Sequence, residues 1–217
     1  MWQPPVVTEP SGERWDQLAS SYDAVADRYE QRFVDELDHK PFDRALLDAF
    51  ARAVDGPVVD LGCGPGHVGR FLAERGVRTI GVDLSEQMAA LAARRLGVAL
   101  VADMRWLPFL GGSLGGMVAF YSLIHLPRGE LADAVVEIAR VLRRGARLLV
   151  SVHGGEGEVV RDDFLEVPVP FVATLFDPGE IEAALVGAGL SVTFVESRPP
   201  YDQESPTTRV YVGAEKP

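Results

Sequence analysis

The sequence is poor in the residues that several protein classes require. One cysteine, Cys63, stands in 217 residues, so no disulfide can close within the chain and a reducing compartment is expected. The four histidines, His39, His67, His125 and His153, are scattered without metal-ligand spacing, and no metal is expected. Lysine occurs only at Lys40 and Lys216. Nearly all the positive charge is therefore arginine, a bias that points to a GC-rich genome and a bacterial source such as an actinomycete. Basic residues number 21 against 32 acidic ones, a net charge of -11. Phosphate-gripping surfaces are built from clustered Lys and Arg, so no nucleic-acid partner is expected. No apolar run is long enough to span a bilayer, and the Met-Trp-Gln-Pro-Pro start lacks the basic and apolar regions of a signal peptide. These absences lead to the expectation of a soluble cytoplasmic protein without a membrane partner, monomeric or homodimeric, with one core.

What the chain does contain is punctuated periodicity. Residues 1–12 hold three prolines and little pattern, and an irregular segment is expected there. Trp15, Leu18, Tyr22, Val25, Tyr29, Phe33 and Leu37 then recur at steps of three and four, one apolar stripe of an amphipathic helix. A second helix is expected from Pro41, with Phe42, Leu46, Leu47, Phe50 and Val54 inward. Beyond the Gly56-Pro57 break, β-type runs near 58–62, 78–83, 98–102, 116–121 and 147–153 alternate with helical patterns near 67–75, 86–96 and 129–143, an order that forces a parallel sheet. Asp177-Pro178-Gly179-Glu180 carries the N-cap, first-turn proline and glutamate of a capping box. Two last strands, about 190–198 and 207–214, suit an antiparallel hairpin.

The densest signal is Val58-Val-Asp60-Leu-Gly62-Cys63-Gly64-Pro-Gly66, where a buried β run breaks into three alternate glycines and then enters a helix. Glycine reaches positive φ cheaply and lets a ligand lie against backbone N–H groups, so a nucleotide-type guest is expected. A nicotinamide fingerprint does not fit, because His67 falls where the third small residue would pack. Asp60, two residues before the first glycine, would repel a pyrophosphate and welcome a cation. This pattern, with Gly81-Val82-Asp83 closing the next strand, resembles the class I S-adenosylmethionine-dependent methyltransferases. The similarity continues in order through Val101-Ala102-Asp103-Met104, Met117 to Leu126 and the approach to strand five, about residues 56 to 153; Arg144-Gly145-Ala146 replaces a common Pro-Gly-Gly and is expected to affect only a turn.

The resemblance implies a Rossmann-like, doubly wound α/β fold with a seven-stranded sheet, mostly parallel and with an antiparallel last strand. It also implies a division into a tail and lid helices, 1–55, and a methyltransferase core, 56–217. It implies S-adenosyl-L-methionine as cofactor and S-adenosyl-L-homocysteine as product. Asp83 would hold the ribose hydroxyls, Asp103 the adenine amino group and Met104 the adenine ring, with Leu84 and Met88 from the same region. Asp60, Gly62, Cys63, Gly64 and Gly66 would form the glycine-loop side, and Phe120 and Tyr121 the end of strand four. Tyr22 and Tyr29 either close over the methionine end as a lid pair or merely pack. The implied partner is a small-molecule methyl acceptor, with an oxygen or nitrogen nucleophile. Carbon, protein or RNA methylation, cofactor binding without methylation, and a nicotinamide-dependent oxidoreductase are the alternatives.

Methyl transfer demands alignment more than proton chemistry, since the sulfonium is already an electrophile and leaves as a neutral thioether. Where a base is needed, His125 after strand four is the first candidate and His153 after strand five the second; His125 otherwise bonds a loop carbonyl and shapes the pocket floor. His67 is expected to face solvent, His39 to reach substrate from the lid or lie in a solvated turn, and Arg105 and Trp106 to line the acceptor pocket unless Trp106 packs on Phe109. Acceptor identity is expected in the lid helices, in Gly154 to Phe176 as a proline-braced cap, and in the loop from Pro199 to Thr208. Asp83→Ala is expected to cripple affinity for S-adenosylhomocysteine while leaving the fold intact; calorimetry and circular dichroism on the variant check both halves.

Overall fold

A computed structural model describes residues 11–217. Most of the segment expected to be irregular lies outside the described residues, while its last two residues, Ser11 and Gly12, are already helical. Helix α1 (Ser11–Phe33) is followed by a 3-10 turn (Glu36–His39) and α2 (Pro41–Ala53). The apolar stripe is therefore not one helix: the chain turns after Phe33, and Leu37 is buried with Leu47 and Phe50 rather than continuing along α1.

From there strands and helices alternate: β1 (Val58–Leu61), α3 (His67–Ala73), β2 (Thr79–Asp83), α4 (Glu86–Leu96), β3 (Ala99–Val101), β4 (Leu114–Phe120), α5 (Leu131–Val141) and β5 (Leu142–Gly154). A two-stranded antiparallel sheet, β6 (Glu158–Arg161) with β7 (Phe171–Thr174), follows where an extended cap was expected. The chain ends in α6 (Pro178–Gly187), β8 (Ser191–Arg198) and β9 (Thr208–Glu215). The large sheet has seven strands in the order β3-β2-β1-β4-β5-β9-β8. Antiparallel β9 sits between β5 and β8, so every other strand runs one way. Arg144-Gly145-Ala146 lies inside β5, where Gly145 takes a φ of +74° and its N–H bonds the Lys216 carbonyl.

Alternation along the central strands decides the layering. Val58, Val118, Leu149 and Tyr211 point to one face, where α2 and α3 cover them through Leu47, Phe50, Phe71 and Leu72. Val59, Met117, Ala119, Leu148, Val150 and Val210 point to the other, against Leu131, Val135 and Ile138 of α5 and Ile181 and Leu185 of α6. Each fully buried side chain of this size contributes about 2 kcal/mol from the apolar area it removes from water. The capping box at α6 is present in both directions, Asp177 accepting from Gly179 N–H and Glu180 from Asp177 N–H. No helix among the described residues is long and apolar enough to cross a membrane, and no group of His, Cys, Asp and Glu among them is placed to hold a metal ion.

Because β1 to β5 run in parallel, their carboxyl ends share one edge, where the crossovers to α3, α4 and α5 diverge and open a crevice. At the opposite edge the chain closes tightly: a Cβ on Gly115 would lie 1.8 Å from the Asp55 carbonyl oxygen, which is backbone and cannot swing away. Gly115→Ala is expected to destabilise the fold by about 2 kcal/mol or more, as other backbone clashes in a packed core do, read as a lower midpoint in urea.

Candidate functional site

The glycine loop is shaped by contacts that only glycine permits. Gly62 has a φ of +64°, and a Cβ there would stand 2.2 Å from the Ser122 Cβ, so the loop after β1 rests directly on the turn after β4. Gly66, at +84°, approaches α4 so closely that a Cβ would meet the Ala92 Cα at 2.9 Å. Asp83 closes the arrangement from β2. One carboxylate oxygen accepts from Gly64 N–H at 2.8 Å and the other from Ser85 N–H at 3.0 Å, while Ser85 caps α4 through Met88 N–H. Burial raises the Asp83 carboxyl to about 6, against the opposing pull of those backbone donors.

Asp60 plays a different part from the one expected. It is 2% exposed, accepts from Gly69 N–H of α3 at 2.8 Å and does not line the crevice. Its carboxyl is likewise raised to about 6, chiefly by burial. Asp60 therefore ties the end of β1 to the first turn of α3 rather than meeting a cation. Three more of the expected ligand-binding residues also lie behind the wall. Cys63 packs on Gly81, Gly66 on Ala92, and Met88 is buried with Ala26 and Leu91 beneath Tyr22 and Tyr29.

The crevice, with the open solvent at its mouth counted in, spans about 670 Å³. It brings together Gly62, Gly64, Asp83, Leu84, Asp103, Met104, Phe120, Tyr121, Tyr22, Tyr29 and His125, although α1 and the ends of β1 to β4 supply them. Asp103 reaches it with its carboxylate already engaged by the Arg105 guanidinium, 2.7 Å from Nη2 to Oδ2. Arg105 also lies over the Trp15 ring, 4.1 Å from its centre, and bonds Glu130. Arg105 thus braces Asp103 and is not a lining residue, while Trp106 is 77% exposed and also lines no part of the crevice. Ser122 joins Phe120 and Tyr121 in the lining, as expected of the segment that ends strand four, whereas Trp15 was missed by sequence reasoning because its position in the α1 stripe reads as core.

A second, larger cleft of about 1460 Å³ adjoins the first, and Tyr22, Tyr29 and Tyr121 line both. Tyr121 holds a φ of +54°, a left-handed conformation rarely adopted by a bulky residue and costing about 1 kcal/mol or more. That backbone turn carries its ring to the boundary. Arg32, His39 and Lys40 from the N-terminal segment, Phe164 and Phe171 from the β6–β7 segment, and Tyr201, Gln203 and Glu204 from the β8–β9 loop all face this second cleft. The three stretches expected to decide acceptor identity thus converge on one space, with His153 at its strand end.

Neither histidine is an open base. His125 Nδ1 lies 3.0 Å from the Val172 carbonyl oxygen and must donate to it; Nε2 is then the acceptor for the Tyr22 hydroxyl at 2.7 Å. Burial pushes His125 down to about 4 and keeps it neutral. It pins α1 to the β6–β7 hairpin. His153 is bonded through Nδ1 to the Thr207 hydroxyl at 2.8 Å, and burial, with Arg209 and Lys40 adding to it, lowers its pKa to about 3.

His67, expected in solvent, has a side chain only 9% exposed, with Nε2 2.9 Å from Glu36. Glu36 also accepts from Lys40 at 2.7 Å, Lys40 lies 3.3 Å from Glu204, Glu204 pairs with Arg198 at 2.6 Å, and Arg198 with buried Asp43 at 2.8 Å. Burial alone would raise the Glu36 carboxyl, but the His67 and Lys40 bonds outweigh it and hold it near about 2. This chain of charges fastens the 3-10 turn and α2 to the glycine-loop helix and to the β8–β9 loop. Its pairs span up to 164 residues of sequence, and no local pattern signals them.

Residues 58–145 match the family model described as a methyltransferase domain. Among curated proteins, the chain is 26% identical over 140 residues to an uncharacterized methyltransferase of Geobacillus thermodenitrificans, covering 63% of this chain and 64% of that one. It is 39% identical over 104 residues to N-demethylindolmycin N-methyltransferase of Streptomyces griseus, 43% of each chain. The chain spans just under two thirds of the length of the first of these relatives. Among solved structures, the Burkholderia thailandensis 1,6-didemethyltoxoflavin-N1-methyltransferase, with bound 1,6-didemethyltoxoflavin and S-adenosylhomocysteine, superposes with a TM-score of 0.75 at 20% identity, over 99% of this chain and 93% of that one.

Tyr22→Phe leaves the buried His125 Nε2 without its donor, and a loss of about 1 to 2 kcal/mol in unfolding free energy is expected. Urea denaturation of the variant beside the wild type reads this directly.

Proposed function

We propose that this chain, whose residues 58–145 form a methyltransferase domain of the class I S-adenosylmethionine-dependent type, transfers the methyl group of S-adenosyl-L-methionine to a small-molecule acceptor through an oxygen or nitrogen nucleophile. The observation that carries the reading is the pair of adjoining clefts with three tyrosines common to both. A donor held in the first and an acceptor in the second would meet at that boundary.

The residues of the first cleft fit the cofactor in kind. Gly62 and Gly64 leave backbone uncovered, and the Asp83 carboxylate, with one lone pair on each oxygen taken by backbone, keeps the others for a ribose diol. Asp103, Met104 and Leu84 lie farther along the same wall and suit the adenine. The faces of Tyr22, Tyr29 and Tyr121 offer negative π density where a sulfonium would pass. When bound, the cofactor supplies an electrophilic methyl carbon and a neutral leaving group. The protein supplies alignment, which alone is worth several kcal/mol of barrier. Helix α1 and the 3-10 turn act as the lid, fastened by the His125 and Glu36 contacts, and they keep water from the reacting atoms. The acceptor's proton, where it has one, leaves to water after transfer, because the basic nitrogen of each histidine already accepts from a hydroxyl.

Calorimetry with S-adenosylhomocysteine, S-adenosylmethionine and NADH tests the cofactor: the first two are expected to bind and NADH not to, and the reverse would overturn the reading. Labelled S-adenosylmethionine incubated with a small-molecule fraction tests transfer; label found only in protein or RNA would replace the acceptor class. Cofactor binding is also expected to depend on pH. A ribose diol stabilises the ionised Asp83, so its pKa falls on binding, protons are released, and affinity rises with pH through about 6. Affinity for S-adenosylhomocysteine is expected to drop several-fold from pH 7.5 to pH 5, measured by calorimetry, with the slope absent in Asp83→Asn.

A further inference from the structure

The second cleft has a two-sided chemistry. One side is aromatic: Phe164 and Phe171 stack on each other with centroids 4.5 Å apart and planes 26° from parallel, and Phe164 extends the surface edge-on to Tyr22 and Tyr29 at 5.7 and 6.2 Å. At the strand ends a second pair of flat rings faces the same space, Tyr121 and His153, 5.0 Å apart and tilted by 31°. Few side chains offer flat faces of this extent unless the guest is flat as well, since a flexible aliphatic chain is served equally by Leu, Ile and Met.

The other side is polar, and its proton positions follow from the bonds already made. The Thr207 hydroxyl receives an Arg209 N–H at 2.6 Å, so its own proton goes to His153 Nδ1 at 2.8 Å. The ring proton of neutral His153 is then on Nε2, which has no hydrogen-bond partner among the described residues and is not sealed from solvent. His153 is faced by Tyr121 just past β4, Arg209 and Thr207 from β9 and its loop, Lys40 and Glu204 across the cleft, and His125 behind. Lys40 spends its charge on Glu36 and Glu204 and sits 5.1 Å over the Tyr121 ring. The His153 Nε2–H is thus a donor left uncommitted beside the Tyr121 ring, at the strand end of the cleft.

We infer that the second cleft takes a planar aromatic acceptor, seated against Phe164 and Phe171 and presenting a carbonyl, ring nitrogen or oxyanion to the Nε2–H of His153. The inference rests on the methyltransferase reading and names its substrate class. His153 positions the acceptor as a donor, and the nucleophile brings its own lone pair. That pair forms the new bond to the methyl carbon while the carbon–sulfur pair returns to sulfur, giving the neutral thioether. A neutral nitrogen nucleophile becomes cationic and sheds its proton to water, and an oxyanion gives a neutral ether or ester.

The test uses the full chain saturated with S-adenosylhomocysteine. Binding of 4-hydroxyquinoline and indole-3-carboxylate is compared by calorimetry with that of cyclohexylamine and hexanoate. The two aromatic probes are expected to bind at least tenfold more tightly than the two aliphatic ones. Phe164→Ala and His153→Phe, the latter keeping the ring but losing the donor, are each expected to weaken the aromatic probes threefold or more, while affinity for S-adenosylhomocysteine moves by less than twofold. Equal binding of the two probe pairs, or unchanged binding in both variants, overturns the aromatic assignment and leaves the cofactor reading standing. Failure of the wild-type chain to bind S-adenosylhomocysteine overturns the cofactor reading and this inference with it.

Discussion

The geometry of the candidate site depends on one carboxylate. Asp83 stands at the end of β2 with an oxygen on the N–H of Gly64 and another on that of Ser85. It holds the glycine loop to the next crossover while turning its remaining lone pairs to the crevice. A side chain that only supported structure would be better replaced by a neutral acceptor, because burial raises its pKa to about 6 and the ionised form carries a desolvation cost. The same bonds that fix the loop thus leave a charge waiting for donors. Asp60, one strand over, shows the contrast: more deeply buried, it spends its oxygen on α3 and has no face on the crevice.

Around that fixed edge the variable parts are held by polar contacts rather than by apolar packing alone. Tyr22, His125 and Val172 connect α1 to the β6–β7 hairpin, and Glu36, Lys40, Glu204, Arg198 and Asp43 connect the N-terminal helices to the β8–β9 loop. Removing the partner of a buried charge such as Asp43 leaves it unpaired at a cost of about 3 to 5 kcal/mol, and the neutral bonds of His125 add smaller directed terms, so the arrangement specifies one position for each segment. A core of aliphatic residues tolerates sliding in a way that directed hydrogen bonds do not.

The order of strands, the glycine loop, the α6 capping box and Asp83 were legible in the sequence because each is written within about ten neighbouring residues. Gly62 and Gly64 announce uncovered backbone wherever they fall after a buried run. The parts that were not legible depend on partners far away in the chain. His67 read as a solvent-facing helix start because nothing near it reveals Glu36, 31 residues earlier. Asp60 read as a ligand for a cation because its bond to Gly69 exists only once α3 has folded back on β1. The stripe from Trp15 to Leu37 kept helical spacing across a turn, since Leu37 is apolar for the sake of α2 and not of α1. The β6–β7 hairpin was hidden by short strands separated by a proline-bearing loop, whose contacts, Ala173 and Val159 on the core and Thr174 on the Leu126 carbonyl, lie far away in the chain.

The placement of β9 between β5 and β8 has a consequence for synthesis on the ribosome. Strand β8 emerges first yet has no hydrogen-bonding neighbour until residues 208–215 slot in beside it. During that interval β5 presents Leu148, Val150 and Val152 along an unfinished border, the kind of surface that invites another nascent chain. Assembly of this half of the molecule therefore waits until residues 208–215 have been made.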